Sequence, residues 1–584
     1  MRSVVGKEAS APSAPLLTKN WPTGTILPLL FLAALWFVLC TQLSGEWFIN
    51  EQYNFGWFVP FFALYLFWLR WQDRPSPVRG PWSVVGDQKL VALAIALIAL
   101  VLLLPVRLFE IANPEWRPVA WLHAASVVTL TLLYIWYVGG RPWLCHFAFP
   151  VAFIFVAVPW VTPIEAPIIQ GLMRAVAGVA AEIITLFGIP ARVEGNLIRM
   201  SNGLVGVNEA CSGIRSLQTS LMIGLLFGEL KRLSISRRVA LAAGAVGLAF
   251  FANFLRAVFL VRVAATKNIL EVTRWHDIAG YTIVALVFVG TLGLAYLFGR
   301  SGARSQKPEV RSQTSQVSGQ WSVVPPLPSS GAASIRQPTA SYLATALCWL
   351  LLVEIGTTAW YRVHERNLVS GIRWSVQWPE QAPNFHKLKI DKEIRNVLRF
   401  DEGQAAAWTV SLPTAAALAI QSRPNNISCS LYLFRWKPGR NSALLANLHR
   451  PDVCLPAVGW TQVADTGVRH YPVSASFALP FRHFEFRHGT SEDSVPSAAH
   501  AFYCLSEDRV PTGSADSANP PQMPTSPSSW TRGERIREVL EGRRHLGQQV
   551  MEFIVLSRGP TDLDQVEAHF ARALPQLIKI ESRK

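Results

Sequence analysis

The sequence predicts a polytopic α-helical membrane protein of about eight spans, with an additional anchor span and an exported α+β domain. Only 16% of the 584 residues are charged while 51% are hydrophobic, a balance too apolar for an ordinary water-soluble chain. Apolar stretches of about 20 residues, the length that crosses a bilayer, recur through residues 26–300 and once more at 341–360. Residues 361–584 then return to a mixed composition with short alternating segments.

Residues 1–25 form a polar tail. No small-residue cleavage site follows it, so the first apolar run is a retained span rather than a removed signal peptide. Spans are expected at 26–44, 56–71, 90–112, 119–138, 145–163, 211–229, 239–261 and 278–298, which together make a catalytic block at 26–300. The segment 164–188 is apolar but carries Glu165, Arg174 and Glu182.

Charge assigns the sides. Lys7 and Lys19 place the tail in the cytoplasm. The clusters Arg70/Arg74/Arg79/Lys89, Arg141, Lys231/Arg232/Arg237/Arg238 and Arg300/Arg304/Lys307/Arg311 join it there only if 164–188 does not cross. That segment is therefore expected to be membrane-associated, either re-entrant or interfacial. Residues 301–340, rich in Ser, Gln and Pro, read as a flexible cytoplasmic linker. An anchor span at 341–360 then carries residues 361–584 outward. In that exported domain, 427–436, 481–486 and 552–556 read as strands, 531–549 and 562–577 as helices, and 506–530 as a mobile loop.

The net charge of +16 suits basic cytoplasmic loops facing anionic membrane lipid. No basic stripe with interleaved aromatics appears, so no nucleic-acid partner is expected. Metal-ligand clusters and phosphate-cradling glycine loops are also missing, so neither a metal nor a cofactor is expected.

Within the apolar block three polar elements stand out. The first is Asn208-Glu209-Ala210-Cys211-Ser212-Gly213-Ile214-Arg215. Here Cys211 is ringed by small and polar residues near a helix start, which favours a thiolate; Cys40, Cys145 and Cys348 instead lie amid apolar residues, as structural thiols do. The second is Arg256 in Asn253-Phe254-Leu255-Arg256, a charge deep enough in a span to suggest function, whereas Arg262 is placed to snorkel. The third is His276 in His276-Asp277, either a loop cap or a general acid–base group. His123 and His146 lack comparable surroundings. The expected topology carries Cys211, Arg256 and His276 to the outer face at similar depth, with Arg256 about 9 Å below its helix end.

These three elements, in this order and span placement over roughly residues 20–300, resemble those of the exosortase/archaeosortase family. The resemblance implies an eight-span membrane cysteine transpeptidase in the bacterial inner membrane. Cys211 would be its nucleophile, Arg256 the transition-state stabiliser and His276 the acid/base, with Glu209, Ser212, Asn253 and Asp277 in support. The substrates so implied are exported proteins with a C-terminal sorting tail: a motif such as Pro-Glu-Pro, a transmembrane helix and a basic cluster, linked to exopolysaccharide and envelope biogenesis. Two alternatives use the same chain. One is a non-catalytic envelope scaffold or polysaccharide-assembly factor whose exported domain binds a partner; the other is an intramembrane protease that only hydrolyses.

In the exported domain, His449-Arg450-Pro451-Asp452-Val453-Cys454-Leu455-Pro456-Ala457-Val458-Gly459-Trp460 resembles the exosortase-associated domain, with Ala457 where Gly is common. His449, Pro451, Cys454 and Trp460 mark the motif. Cys454 beside His449 admits a second thiol site. A disulfide among Cys429, Cys454 and Cys504 competes with it in an oxidising compartment, and a structural or substrate-handling role is the expectation.

Overall fold

The computed structural model describes residues 23–76, 86–194, 197–200, 203–206, 213–266, 269–303, 340–412, 425–457, 459–475, 477–488, 497–511, 532–558 and 562–581. Helices α1 (Thr23–Ile49), α2 (Val59–Gln72), α3 (Gly86–Ala112), α4 (Arg117–Ala152) and α5 (Thr162–Leu186) open the chain. A three-stranded antiparallel sheet follows: β1 (Ala191–Glu194), β2 (Leu197–Met200) and β3 (Gly203–Gly206). Helices α6 (Ile214–Leu230), α7 (Ile235–Thr266), α8 (Ile269–Ala303) and α9 (Ala340–His364) complete the helical part.

Among the described residues seven helices are long and apolar enough to cross a membrane. One of them holds two of the expected spans. Inside α4, Gly140 adopts φ 75, ψ −170, and the helix folds back on itself there. The ring of Trp121 stacks on Phe155 at 5.6 Å, its Nε1 donates to the Pro159 carbonyl at 2.8 Å, and Arg117 reaches the Trp160 carbonyl at 2.9 Å. An antiparallel pair explains these contacts, as the spans at 119–138 and 145–163 require. Gly140 is where the turn needs a residue that tolerates positive φ. Helices α2 and α6, of 14 and 17 residues, are the shortest of the block.

Two ends of the block can be distinguished. At the upper end, Glu165 accepts from Gln52 (2.7 Å), Tyr53 (2.5 Å) and Arg117, while Gln218 donates to the Tyr53 hydroxyl (3.2 Å). At the lower end the buried Glu229 accepts from Arg70 Nε (2.6 Å) and pairs with Arg238, and Arg232 pairs with Asp73. Arginines of two separate segments, Arg70 and the 232–238 stretch, thus gather at one end. A buried carboxylate is tolerated only with such partners.

Helix α5 has the length and hydropathy of a span, yet its packing keeps it at the upper end. It starts beside Gln52, Tyr53 and Arg117. Its second half, Met173 to Ile184, packs on Ala257, Val261 and Ala264 of α7 and on Ile198 and Met200 of β2. That stretch of α7 lies beyond Asn253, which is level with the start of α6 through Gly213. Both halves of α5 thus pack on residues at the end of the block that holds the start of α6.

After α9 comes a sheet domain. Strands β4 (Leu368–Ser370), β5 (Trp374–Val376) and β6 (His386–Lys387), helix α10 (Lys392–Leu398), strands β7 (Glu402–Leu412) and β8 (Asn425–Trp436), and helices α11 (Ser442–Ala446) and α12 (Pro451–Ala457) come first. Then follow β9 (Thr461–Ser474), β10 (Phe477–His488), β11 (Ser497–Glu507), β12 (Arg509–Pro511), α13 (Arg532–Glu541), β13 (Gln548–Arg558), α14 (Leu563–Leu577) and β14 (Ile578–Ile580). Seven strands form one antiparallel sheet in the order β6-β7-β8-β13-β11-β10-β9. One face buries Phe481, Phe502 and Phe553 against Phe570 of α14. The other buries Phe434, Phe486, Tyr503 and Ile554 with Leu448 and Leu455.

The expected helix at 531–549 is corrected: it stops at Glu541, and β13 already begins at Gln548. The reason is Gly542, at φ +66, where a Cβ would lie 2.1 Å from that of His364. Of the alternatives for the three cysteines of the sheet domain, the disulfide is not formed: Cys429, Cys454 and Cys504 are all free, with Cys429 and Cys504 buried on separate strands. Most of the expected loop at 506–530 lies outside the described residues.

The sheet domain caps the upper end. Trp360 donates to the Val539 carbonyl at 2.9 Å, Arg535 lies over the Trp116 ring at 4.6 Å, and Arg440 donates to the Thr41 carbonyl at 2.5 Å. Helix α9 runs alongside α3, with Trp349 bonded to Leu100 O and Arg107 to Glu354 at 2.7 Å.

The domain carries an acid-sensitive pair. His483 and His500 stack in the sheet at 5.4 Å, with Nε2 and Nδ1 3.2 Å apart. Burial and the neighbouring His500 hold the His483 imidazole down at about 4, and burial lowers His500 as well. Such histidines are neutral in the fold, so their contribution is complete above an ordinary imidazole pKa of about 6.5 and is lost as pH falls toward 4. At about 1.4 kcal/mol per unit the loss is on the order of 3 kcal/mol. Hydrogen-exchange protection of peptides 477–488 and 497–507, corrected for intrinsic rates, is expected to fall over that window while protection in β8 follows less steeply.

Candidate active site

Helices α6, α7 and α8 pack through small residues. A Cβ on Gly224 of α6 would lie 3.0 Å from the Ala242 Cα, and Ala249 and Ala252 meet Ile283 and Val287 of α8. Small interface residues allow such close approach between apolar helices. Phe259 and Trp275, edge to face at 5.7 Å, lock the upper parts of α7 and α8.

Gly213 begins α6 at φ 81, ψ 5. A Cβ there would lie 2.6 Å from both Cγ and Nδ2 of Asn253, so two independent constraints demand glycine. Asn253 and Arg256 sit three apart on α7 and share a face. The Arg256 guanidinium donates through Nη2 to His276 Nε2 at 2.8 Å. An arginine N–H cannot accept, so Nε2 is the lone-pair nitrogen and the ring proton sits on Nδ1. Gly280, one turn after His276, leaves the guanidinium room: a Cβ there would be 3.7 Å from Nη2. The buried Arg256 Nε has no hydrogen-bond partner among the described residues, so a donor stays available for an oxygen of a bound group.

The expected spans put Arg256 about 9 Å below its helix end and His276 just before the start of its span; both lie further in. Helix α7 continues ten residues past Arg256, about 15 Å along the axis. Helix α8 begins seven residues before His276, so this histidine is not a loop cap. The extension of α7 is walled by α5, and Arg262, expected to snorkel, lies over the Phe187 ring at 5.2 Å. Asn208, Glu209, Ala210, Cys211 and Ser212 lie outside the described residues, as does the side chain of Asp277.

Two polar networks escaped the linear sequence. Glu165, Tyr53, Gln52, Arg117 and Gln218 fix the start of α6 to the rest of the upper end, assisted by Arg215 and Glu51 at 3.3 Å. In the second network the buried His123 lies 2.9 Å from Glu110, which also takes Arg107 at 2.9 Å. Each network did leave a signal: titratable residues interrupting apolar runs. A cavity of about 240 Å³ adjoins the second, lined by Gln42, Arg107, Glu110, Glu354, Arg440 and Arg544 among others, and no residue of the expected site borders it.

In the sheet domain His449 and Cys454 are adjacent, with Nδ1 and Sγ 3.8 Å apart. Pro451 opens α12, and Trp460 lies against His488 at 5.3 Å between ring centres.

This architecture is that of a polytopic α-helical membrane protein bearing a separate sheet-rich domain. Residues 47–293 match the family described as transmembrane exosortase. The matched stretch contains Gly213, Asn253, Arg256 and His276 and ends before α9 and the sheet domain. No curated protein and no solved structure matches the chain.

Proposed function

We propose that the chain is a membrane cysteine transpeptidase that cleaves the C-terminal sorting tail of exported proteins through a thioacyl intermediate on Cys211. The observation that carries this reading is the Arg256–His276 contact at 2.8 Å beside the Gly213–Asn253 junction. Gly213 is two residues from Cys211, and two residues of chain reach no further than about 7 Å. The match of residues 47–293 to the transmembrane exosortase family supports the reaction class.

The steps follow from the groups. The Cys211 thiol passes its proton to His276 as the sulfur attacks the peptide carbonyl, and Arg256 offsets the charge that develops on the carbonyl oxygen. His276 protonates the leaving amine, so that the peptide C–N bond breaks while the acyl–sulfur bond stays. The same imidazole then takes a proton from the incoming amine or water, which releases the thiol. To act so, His276 exchanges its bond to Arg256 for one to the reacting group.

Gathering of Arg70, Arg232 and Arg238 at the lower end supports a cytoplasmic placement of that end. The upper end, with the site and the sheet domain, then faces the periplasm of an inner-membrane protein. Substrates carrying a Pro-Glu-Pro-type motif, a transmembrane helix and a basic cluster would lie beside the site in the same bilayer, and the link to exopolysaccharide and envelope assembly belongs to the same proposal.

A membrane-impermeant thiol reagent added to cells co-expressing a tail-bearing substrate tests the reading. Modification of Cys211 is expected to stop processing. Continued processing by protein fully modified at Cys211 would refute it, and would favour the scaffold alternative. Product mass separates transfer from hydrolysis, because only transfer leaves the acceptor attached.

A further inference from the structure

We propose that Cys454, His449 and Glu552 form a second nucleophile site, in the sheet domain, that takes acyl groups from an activated carboxylic ester through a thioester on Cys454. The proposal does not depend on the role of Cys211.

The argument begins with Glu552. It lies on β13, opposite Tyr432 of β8 and Tyr503 of β11, on the face that otherwise buries Phe434, Ile554, Leu448 and Leu455. A carboxylate with a side chain 3% exposed in such surroundings is costly unless charge meets it. His449 meets it, its Nε2 2.7 Å from the Glu552 Oε2. Phe434 packs edge-on against the imidazole at 4.8 Å and fixes its plane.

A structural ion pair would end there. Instead the other ring nitrogen, Nδ1, faces the Cys454 sulfur at 3.8 Å. With Nε2 turned to the carboxylate at 2.7 Å, Nδ1 is the nitrogen that takes the thiol proton, leaving an imidazolium between a carboxylate and a thiolate. The order is carboxylate, imidazole, thiol, with base and orienting group each in place. Burial pulls the His449 imidazole down, but the Glu552 carboxylate and the Cys454 thiol outweigh it and hold it up at about 10. The thiol is partly exposed, and the ring retains a 15% exposed edge, so a small acyl donor can reach both. Cys429 and Cys504 differ: both are buried, and burial pushes the Cys429 thiol up to about 12 and Cys504 higher still.

The chemistry balances without a further reagent. The Cys454 thiol proton passes to Nδ1, the sulfur bonds to the ester carbonyl carbon, and the C–O bond breaks as His449 returns the proton to the leaving alkoxide. Water, deprotonated by His449, then opens the thioester to a carboxylate and the restored thiol.

The test uses the full-length protein in detergent with Cys211→Ala, so that its outcome is separate from that of the Cys211 proposal. Iodoacetamide alkylation of the Cys454 peptide is followed by mass spectrometry against pH, and p-nitrophenyl acetate serves as acyl donor. An ion-paired thiolate is expected to alkylate at a rate nearly flat below about pH 7 and roughly tenfold or more above an ordinary thiol at pH 6. An acetyl adduct on Cys454 is expected with the ester, and His449→Ala and Glu552→Gln should each reduce it by roughly tenfold or more. An alkylation rate that climbs with pH like that of an ordinary thiol would overturn the proposal, as would acetylation that never reaches Cys454. The pH profile needs no substitution at the triad, so a variant that fails to fold does not blunt the test.

Discussion

Replacing Arg256 by lysine or His276 by glutamine is expected to slow tail processing by roughly 10² to 10³-fold, the range typical for loss of an oxyanion donor or a general acid–base group. Lysine keeps the charge but not the fork. The Arg256 guanidinium bonds His276 through Nη2 at 2.8 Å while the buried Nε has no partner among the described residues. A single ammonium cannot present both donors in fixed directions. Glutamine at 276 preserves a polar side chain of similar reach but cannot shuttle a proton at neutral pH. Because the two side chains touch, the double variant should be little worse than the poorer single one; interacting groups are not additive. Initial rates of substrate cleavage in isolated membranes, with variant levels normalised, check this. Equal and additive losses would mean the pair does not work as a unit.

Gly213→Ala is expected to abolish processing nearly as completely as loss of the thiol, although Gly213 has no reactive group. Its φ of +81 costs an L-residue about 1–2 kcal/mol. In addition the new methyl would sit 2.6 Å from two atoms of Asn253, which cannot recede because Asn253 is buried within α7. Helix α6 must then lift off α7 where the Cys211 segment enters. Insertion should survive, since the rest of the α6–α7 contact is unchanged. Gly247→Ala supplies the comparison: it lies on α7, the helix that carries Asn253, with nothing within 4 Å of the new Cβ, and should be neutral. Cleavage assays alongside membrane levels of each variant distinguish a misplaced nucleophile from a lost protein.

Much of the helical block was legible because a bilayer imposes simple rules. Length and hydropathy mark spans, and arginines mark sides; even the fold-back at Gly140 appeared as two separate spans. What the sequence hid depends on tertiary partners. Nothing around Ala257 to Thr266 announces that α7 runs on past its apolar core, since that extension is sheltered by α5 and β2. The strands β1 to β3 are four residues each, too short for a period to register. In the sheet domain the helix at 531–549 was overextended because a polar helical pattern does not reveal that Gly542 must pass against His364. The Glu552 partner of His449 was out of reach for a related reason: it sits on the central strand, where an alternating pattern says only that a carboxylate faces inward or outward.

The central claim is that Cys211 carries the acyl group. The most direct measurement is the mass of a tail-bearing substrate recovered from cells expressing the wild-type protein, Cys211→Ala or Cys211→Ser. The account predicts a shortened substrate, with or without an attached acceptor, in the wild type alone, and an intact tail in both variants. A shortened substrate in Cys211→Ala would contradict it.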